Sequence, residues 1–68
     1  MRLKEIRKSR RISQLKLAMD LCTNQNTISR YETGDREPGI DGLIKLADYF
    51  NVSVDYLLER TNNPNMQK

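Results

Sequence analysis

Four polar side chains share the outward face of a predicted helix near the middle of this 68-residue chain: Gln25, Asn26, Ser29 and Arg30. They are amide, hydroxyl and guanidinium groups, and none is a carboxylate. In the major groove of DNA, amides can pair with N6 and N7 of adenine, and a guanidinium with O6 and N7 of guanine. Each bidentate pair can discriminate against a wrong base by about 1–3 kcal/mol, so this set is suited to reading base edges. Backbone N–H groups at the start of the helix would point toward phosphates.

A pair of short helices joined by a tight turn is predicted to present that face. Ser13 and Asn24 are suited to cap the two helices, because their side-chain oxygens can accept early backbone N–H groups. The second helix is predicted over residues 25–33, and Gly34 ends it, since glycine reaches positive φ without a Cβ penalty. Ala18 provides a small contact where the helices cross. The side chains predicted to attach the pair to the core are Leu17, Leu21, Ile28 and Tyr31.

Three more helices complete the predicted domain, which spans residues 1–60. They are expected over residues 2–9, over residues 40–50 with Asn51 as a left-handed stop, and after Ser53, with Val54, Leu57 and Leu58 turned inward. No segment alternates apolar and polar residues with a period of two, so the fold class is all-α with five short helices. The polar segment 61–68 is predicted to be a flexible tail or the start of a linker.

Composition argues against several kinds of site. There is no histidine and only one cysteine, so neither a zinc site nor a disulfide can form within the chain. Without clustered carboxylates or a phosphate-cradling glycine loop we expect no enzyme, no cofactor and no small-molecule ligand. Neither a signal peptide nor an apolar run of about 20 residues is present, so we expect a cytoplasmic protein that does not enter membranes.

The charge is divided unevenly along the chain. Residues 1–36 carry nine Lys or Arg and four Asp or Glu, whereas residues 37–68 carry three and five. The positive half is typical of a domain with a polyanionic partner, although a solvated basic helix face would look the same on charge alone.

Four stretches of the chain carry a family pattern: SQLKLAMDLCTNQNTISRYETG at residues 13–34, Glu37-Pro38, Leu46-Ala47 and the closing VSVDYLL at residues 52–58. Together they resemble the Cro/C1-type (Xre-like) helix-turn-helix family of phage repressors and bacterial regulators. The resemblance covers residues 1–60. It implies a lambda-repressor-like domain that binds double-stranded DNA as a homodimer at a roughly palindromic operator, most often as a repressor.

The resemblance also implies a role for each matching residue. Gln25, Asn26 and Arg30 would read base edges, and Ser29 would contact a base or a phosphate. Arg7 and Glu32 fall where the family often has an ion pair that orients the recognition helix. The side chains expected near phosphates are Gln14, Asn24, Thr27, Arg10, Arg11 and Arg36.

Two positions depart from the family pattern. Cys22 stands in the turn where glycine is usual, so a left-handed backbone there would cost on the order of 1 kcal/mol. Leu15 replaces a residue that is usually polar, and it is either an isolated surface leucine or part of a contact with another chain.

The fourth helix has more apolar residues than one buried stripe needs. A core-facing stripe needs only three or four of five candidates, which leaves Ile44 in excess; the candidates are Ile40, Leu43, Leu46, Ala47 and Phe50. Surplus apolar surface often marks an interface, and in this family the dimer contact lies near the last two helices. The sequence therefore predicts a twofold dimer surface made by Ile44, Val54 and neighbours such as Tyr49.

Other interpretations stay open. The chain could be an antitoxin-type DNA-binding protein whose main role is to bind a toxin, although residues 61–68 offer little length for wrapping one. The tyrosines Tyr31, Tyr49 and Tyr56 could stack on single-stranded nucleic acid, but their helical placement favours packing. Cys22 could sense redox state, yet no neighbour in sequence would acidify it.

Overall fold

A computed structural model describes residues 1–64 of the chain. Over these residues the chain forms five α-helices and no strand: α1 Leu3–Ser9, α2 Gln14–Asp20, α3 Gln25–Thr33, α4 Ile40–Phe50 and α5 Val54–Leu57. The predicted all-α class with five short helices is therefore confirmed for this part of the chain. Of the predicted tail, residues 65–68 lie outside the described residues, and the boundary at residue 60 stays a prediction.

Helices α1, α2 and α3 form one unit, which spans Leu3–Glu37. Both α1 and α2 contact α3. Ala18 is 1% exposed, in keeping with a small side chain where two helices approach closely. The buried apolar side chains of the unit are Leu3, Ile6, Leu17, Ala18 and Ile28, while Leu21 and Tyr31 are half-buried.

Local side-chain and backbone features set the ends of α2 and α3. Oγ of Ser13 accepts a hydrogen bond from the N–H of Lys16 at 3.0 Å. Oδ1 of Asn24 accepts one from the N–H of Thr27 at 2.8 Å. Gly34 ends α3 with φ of 86°, and a Cβ built there would meet no atom within 4 Å. Glycine is therefore favoured at this position by the backbone conformation and not by lack of space.

Helices α4 and α5 belong to a second unit, made of Met1–Arg2 and the chain from Pro38 onward. Asn51 ends α4 with φ of 56°, which is the left-handed stop expected from the sequence. Its own N–H donates to the carbonyl oxygen of Asp48 at 3.1 Å. The buried apolar side chains of this unit are Leu46, Ala47, Phe50, Val52 and Leu57.

Two apolar residues of the second unit that were candidates for the core are exposed. Ile40, one of the five candidates for the core-facing stripe of α4, is 77% exposed, and the other four form the stripe of three or four residues that the sequence predicted. Leu58, predicted to turn inward, is 37% exposed because α5 already ends at Leu57 and Leu58 is its C-cap. The inward stripe of α4 consists of half-buried Leu43 and the buried residues that follow it.

Within residues 1–64 no helix is long and apolar enough to cross a bilayer. The same residues contain no cluster of three or more His, Cys, Asp or Glu that could hold a metal ion.

Candidate nucleic-acid interface

The four candidate base-reading residues lie on one face of α3. At about 100° per residue, positions 25, 26, 29 and 30 span an arc of about 140° on the helix surface. The side chains of Gln25, Asn26 and Arg30 are exposed, and that of Ser29 is half-buried. Ile28, which points the other way, is fully buried. The helix thus presents a polar surface with donors and acceptors and anchors itself on the opposite side.

A buried ion pair between α1 and α3 orients this helix. Nε of Arg7 donates to Oε2 of Glu32 at 2.6 Å, and Nη2 donates to Oε1 at 3.2 Å. The side chains are only 10% and 3% exposed, respectively. Nη1 of Arg7 also donates to the carbonyl oxygen of Ile12 at 2.8 Å, in the connection between α1 and α2. One guanidinium therefore ties together α1, the connection that follows it and α3.

Gln14 connects the ion pair to the candidate DNA-facing surface. Its Nε2 donates to Oε1 of Glu32 at 3.0 Å, and its Oε1 accepts from Nε2 of Gln25 at 3.4 Å. The result is a continuous chain of hydrogen bonds from Arg7 through Glu32 and Gln14 to Gln25. The sequence singled out all four residues but did not predict the Gln14–Glu32 bond that joins them.

Asn24 and Thr27, two of the predicted phosphate contacts, bond to each other in the cap of α3. Oγ1 of Thr27 donates to Oδ1 of Asn24 at 2.9 Å, in addition to the backbone N–H bond at the same oxygen. This cap uses the acceptor of Asn24 and leaves its Nδ2 donors facing solvent. The hydroxyl proton of Thr27 is committed to the cap, so its contact with a phosphate would require rotation of the hydroxyl.

The predicted phosphate-binding arginines are all exposed. Arg10 and Arg11 follow α1, and Arg11 has a left-handed backbone with φ of 57°. The N–H of Arg36 donates to the carbonyl oxygen of Arg30 at 3.3 Å, which ties the loop after α3 to that helix.

Electrostatics of the first unit favour an anionic partner. Residues 3–37 contain eight Lys or Arg and five Asp or Glu. Glu32 is the carboxylate nearest in sequence to the polar face of α3, and it is buried and paired with Arg7. Its negative charge is therefore compensated and does not oppose a phosphate backbone.

The turn between α2 and α3 contains the strained residue that the sequence suggested. Cys22 has φ of 57°, and its thiol is exposed. Cys22→Gly is expected to raise the free energy of unfolding by up to about 1 kcal/mol, because glycine adopts this conformation without the Cβ penalty. Urea denaturation measures the change, and Cys22→Ala is the control because it removes the thiol and keeps the Cβ. Equal stability of the glycine and alanine variants would contradict the strain.

The candidate dimer residues belong to the second unit. Ile44 is 47% exposed, whereas Tyr49 and Val54 are half-buried. The ring of Tyr49 packs edge-on against Phe50 with 4.9 Å between centroids. Ile40 lies one turn before Ile44 on the same face of α4 and is also exposed, so it extends the apolar surface that the sequence predicted.

Comparison with known proteins places this architecture in a family. Residues 3–57 match the sequence model of the helix-turn-helix family. The HTH-type transcriptional regulator ImmR of Bacillus subtilis (strain 168) is 44% identical over 57 residues, which are 84% of this chain and 45% of ImmR. The chain belongs to the Cro/C1-type helix-turn-helix family, as its sequence motifs indicated.

Two other relatives come from the same organism. The uncharacterized HTH-type transcriptional regulator YobD is 33% identical over 63 residues, 93% of this chain and 56% of YobD. The SPbeta prophage-derived regulator YonR is 38% identical over 61 residues, 90% of this chain and 56% of YonR. The chain thus spans about half the length of these relatives. No solved structure matches it.

Proposed function

We propose that this protein is a sequence-specific regulator of transcription that binds double-stranded DNA as a homodimer and acts as a repressor. The observation that carries the proposal is the hydrogen-bonded chain from buried Arg7 and Glu32 through Gln14 to Gln25. It restrains a base-reading amide before DNA arrives, which lowers the entropy lost on binding. The names of the relatives, all HTH-type transcriptional regulators, support the same function.

In this mechanism α3 lies in the major groove, and the side chains of its polar face contact the bases. Gln25 and Asn26 pair with adenine and Arg30 with guanine, while Ser29 contacts a base or a phosphate. The side chains that hold the phosphate backbone are Gln14, Asn24, Thr27, Arg10, Arg11 and Arg36. These contacts fix the docking angle, and the docking angle decides which base each reading residue meets.

A twofold dimer determines the form of the operator. Two α3 helices related by twofold symmetry enter successive major grooves about 34 Å apart, so the site is roughly palindromic. A dimer bound there blocks access of RNA polymerase to an overlapping promoter, which gives repression without any catalytic step.

The salt dependence of binding tests the electrostatic part of the proposal. Affinity for a random-sequence duplex, measured by fluorescence anisotropy between about 50 and 200 mM salt, is expected to fall linearly on logarithmic axes with a slope of about −0.9 per phosphate contact. In Arg36→Ala the slope should be less negative by about one for each Arg36 side chain that the bound protein has lost. Lys45→Ala removes the same charge from α4 and should leave the slope unchanged. Equal slopes for both variants would contradict the assignment of Arg36.

A charge placed in the exposed apolar surface of α4 tests the dimer. Ile44→Glu is expected to shift the protein to monomers in sedimentation equilibrium, because burying an unpaired carboxylate in an interface is strongly unfavourable. Met19→Glu is the matched control: Met19 is a large apolar side chain, 68% exposed, on α2 in the other unit. It should leave the dimer intact. A wild-type protein that is monomeric at high micromolar concentration would overturn the dimer.

A further inference from the structure

Arg2 makes an unusual number of contacts with α5 and the residues after it. Its backbone N–H donates to the carbonyl oxygen of Leu57 at 2.8 Å, and its Nε donates to that of Tyr56 at 3.0 Å. The guanidinium carbon lies 4.7 Å from the centroid of the Tyr56 ring. The last carbonyl groups of a helix have no partner within the helix, and Arg2 donates to two of them; that of Tyr56 also accepts the N–H of Glu59 at 3.1 Å.

The same guanidinium also binds the segment that follows α5. Nη2 of Arg2 donates to Oδ1 of Asn62 at 2.8 Å and to the carbonyl oxygen of Thr61 at 3.4 Å. The chain reverses at Glu59, which has a left-handed φ of 64°, and the N–H of Arg60 donates back to the carbonyl oxygen of Asp55 at 2.8 Å. Arg2 therefore bridges α5 and the returning segment with one planar group.

The returning segment reaches the beginning of α5. The carbonyl oxygen of Pro64 accepts a hydrogen bond from the N–H of Ser53 at 3.0 Å. Ser53 is the N-cap of α5, and its Oγ accepts from the N–H of Tyr56. Residues 59–64 thus run back from the C-terminal end of α5 to its N-cap, Ser53.

We propose that Arg2 is a clasp that holds residues 59–64 along α5, so that Pro64 is kept beside Ser53 at the start of the helix. Release of the clasp would free this segment next to Val54, a residue of the candidate dimer surface. The contacts of Arg2 described above lie with Tyr56, Leu57, Thr61 and Asn62, which are outside the α3 face, so a test of the clasp does not depend on DNA binding. An arginine is required because a lysine ammonium cannot donate in the plane to α5 and to Asn62 at once while it stacks on Tyr56.

Amide hydrogen exchange and trypsin cleavage in the full chain test the clasp. In Arg2→Ala, exchange of the Ser53 amide relative to that of Leu46 in α4, and cleavage after Arg60, are expected to accelerate at least about tenfold, as the loss of charge-assisted hydrogen bonds predicts. Arg2→Lys should behave like Arg2→Ala, because it loses the bridge between α5 and Asn62 although it keeps the charge. Lys4→Ala, which removes a neighbouring exposed cation, should match wild type.

Asn62→Ala keeps the proposal testable if the Arg2 variants unfold. It removes one acceptor of the clasp at an exposed position, and we expect a smaller acceleration of the same two rates, about threefold or more. Rates equal to wild type in Asn62→Ala and in a folded Arg2→Ala would overturn the clasp. Equal acceleration of the Leu46 amide would also overturn it, because that result would mean global destabilisation.

Discussion

Glu32→Ala is expected to lower the free energy of unfolding by about 3–5 kcal/mol, because it leaves the buried Arg7 guanidinium without its counter-charge. The intact pair itself adds little net stability, since desolvation of two charges offsets most of their attraction. Breaking it is costly because Arg7 is only 10% exposed and cannot regain water without rearrangement. The free energy of unfolding of a domain of this size is about 3–10 kcal/mol, so the variant is expected to be partly unfolded at 37 °C.

Urea denaturation followed by circular dichroism measures this effect. Glu37→Ala is the matched control, because Glu37 is an exposed carboxylate in the same unit and its loss should change stability by less than about 0.5 kcal/mol. In a double-mutant cycle, the variant with both Arg7→Ala and Glu32→Ala should lose less free energy of unfolding than the two single variants lose together. The difference should be about 1–3 kcal/mol. Additive single changes, or a cost below about 1 kcal/mol for Glu32→Ala, would show that the pair does not orient α3.

Gln25→Ala is expected to lower affinity for the operator by about 10–100-fold per half-site and to relax the preference at one base pair. The reason is the loss of a bidentate amide contact that discriminates by about 1–3 kcal/mol. The fold should be unchanged, because Gln25 is exposed and Gln14, to which it donates, keeps its bond to Glu32. Affinity for random-sequence DNA should change little.

Competition binding with single-base variants of the operator checks this prediction. Arg36→Ala is the contrasting control, since loss of a phosphate contact should weaken binding to all sequences alike and leave base preferences intact. Gln14→Ala should give a smaller loss of preference at the same base pair, because Gln25 remains but is no longer restrained. An unchanged preference at every position in Gln25→Ala would remove this residue from the reading set.

Local signals predicted the recognition helix well. Asn24 caps the first turn of α3 and Gly34 ends its last turn, and both effects depend only on neighbouring residues. The bounds of α3, residues 25–33, therefore followed from the cap residues alone. The face of α3 followed from helical periodicity alone. The same reasoning identified Asn51 as the stop of α4, whereas Cys22 was singled out as the strained residue of the turn because the family pattern usually has glycine there.

Apart from the Arg7–Glu32 ion pair, which the family resemblance implied, contacts between distant residues were not predicted. Periodicity cannot tell whether an apolar residue at a helix end is covered, which is why the exposure of Leu58 differed from expectation and why Ile40 stayed among the candidates for the α4 stripe. The Gln14–Glu32 hydrogen bond depends on how α2 and α3 cross and on two side-chain rotamers. The contacts of Arg2 with Tyr56 and Asn62 join residues more than 50 positions apart, and no spacing rule connects them.

Selection of duplex DNA from a random pool by the purified protein, followed by sequencing of the bound fraction, tests the central claim most directly. We predict enrichment of a motif with two inverted half-sites whose centres lie about 10–11 base pairs apart, as expected for two α3 helices in successive major grooves. Salt-sensitive binding without any enriched motif would contradict sequence-specific recognition by this domain and would favour a role in which DNA binding serves a partner protein.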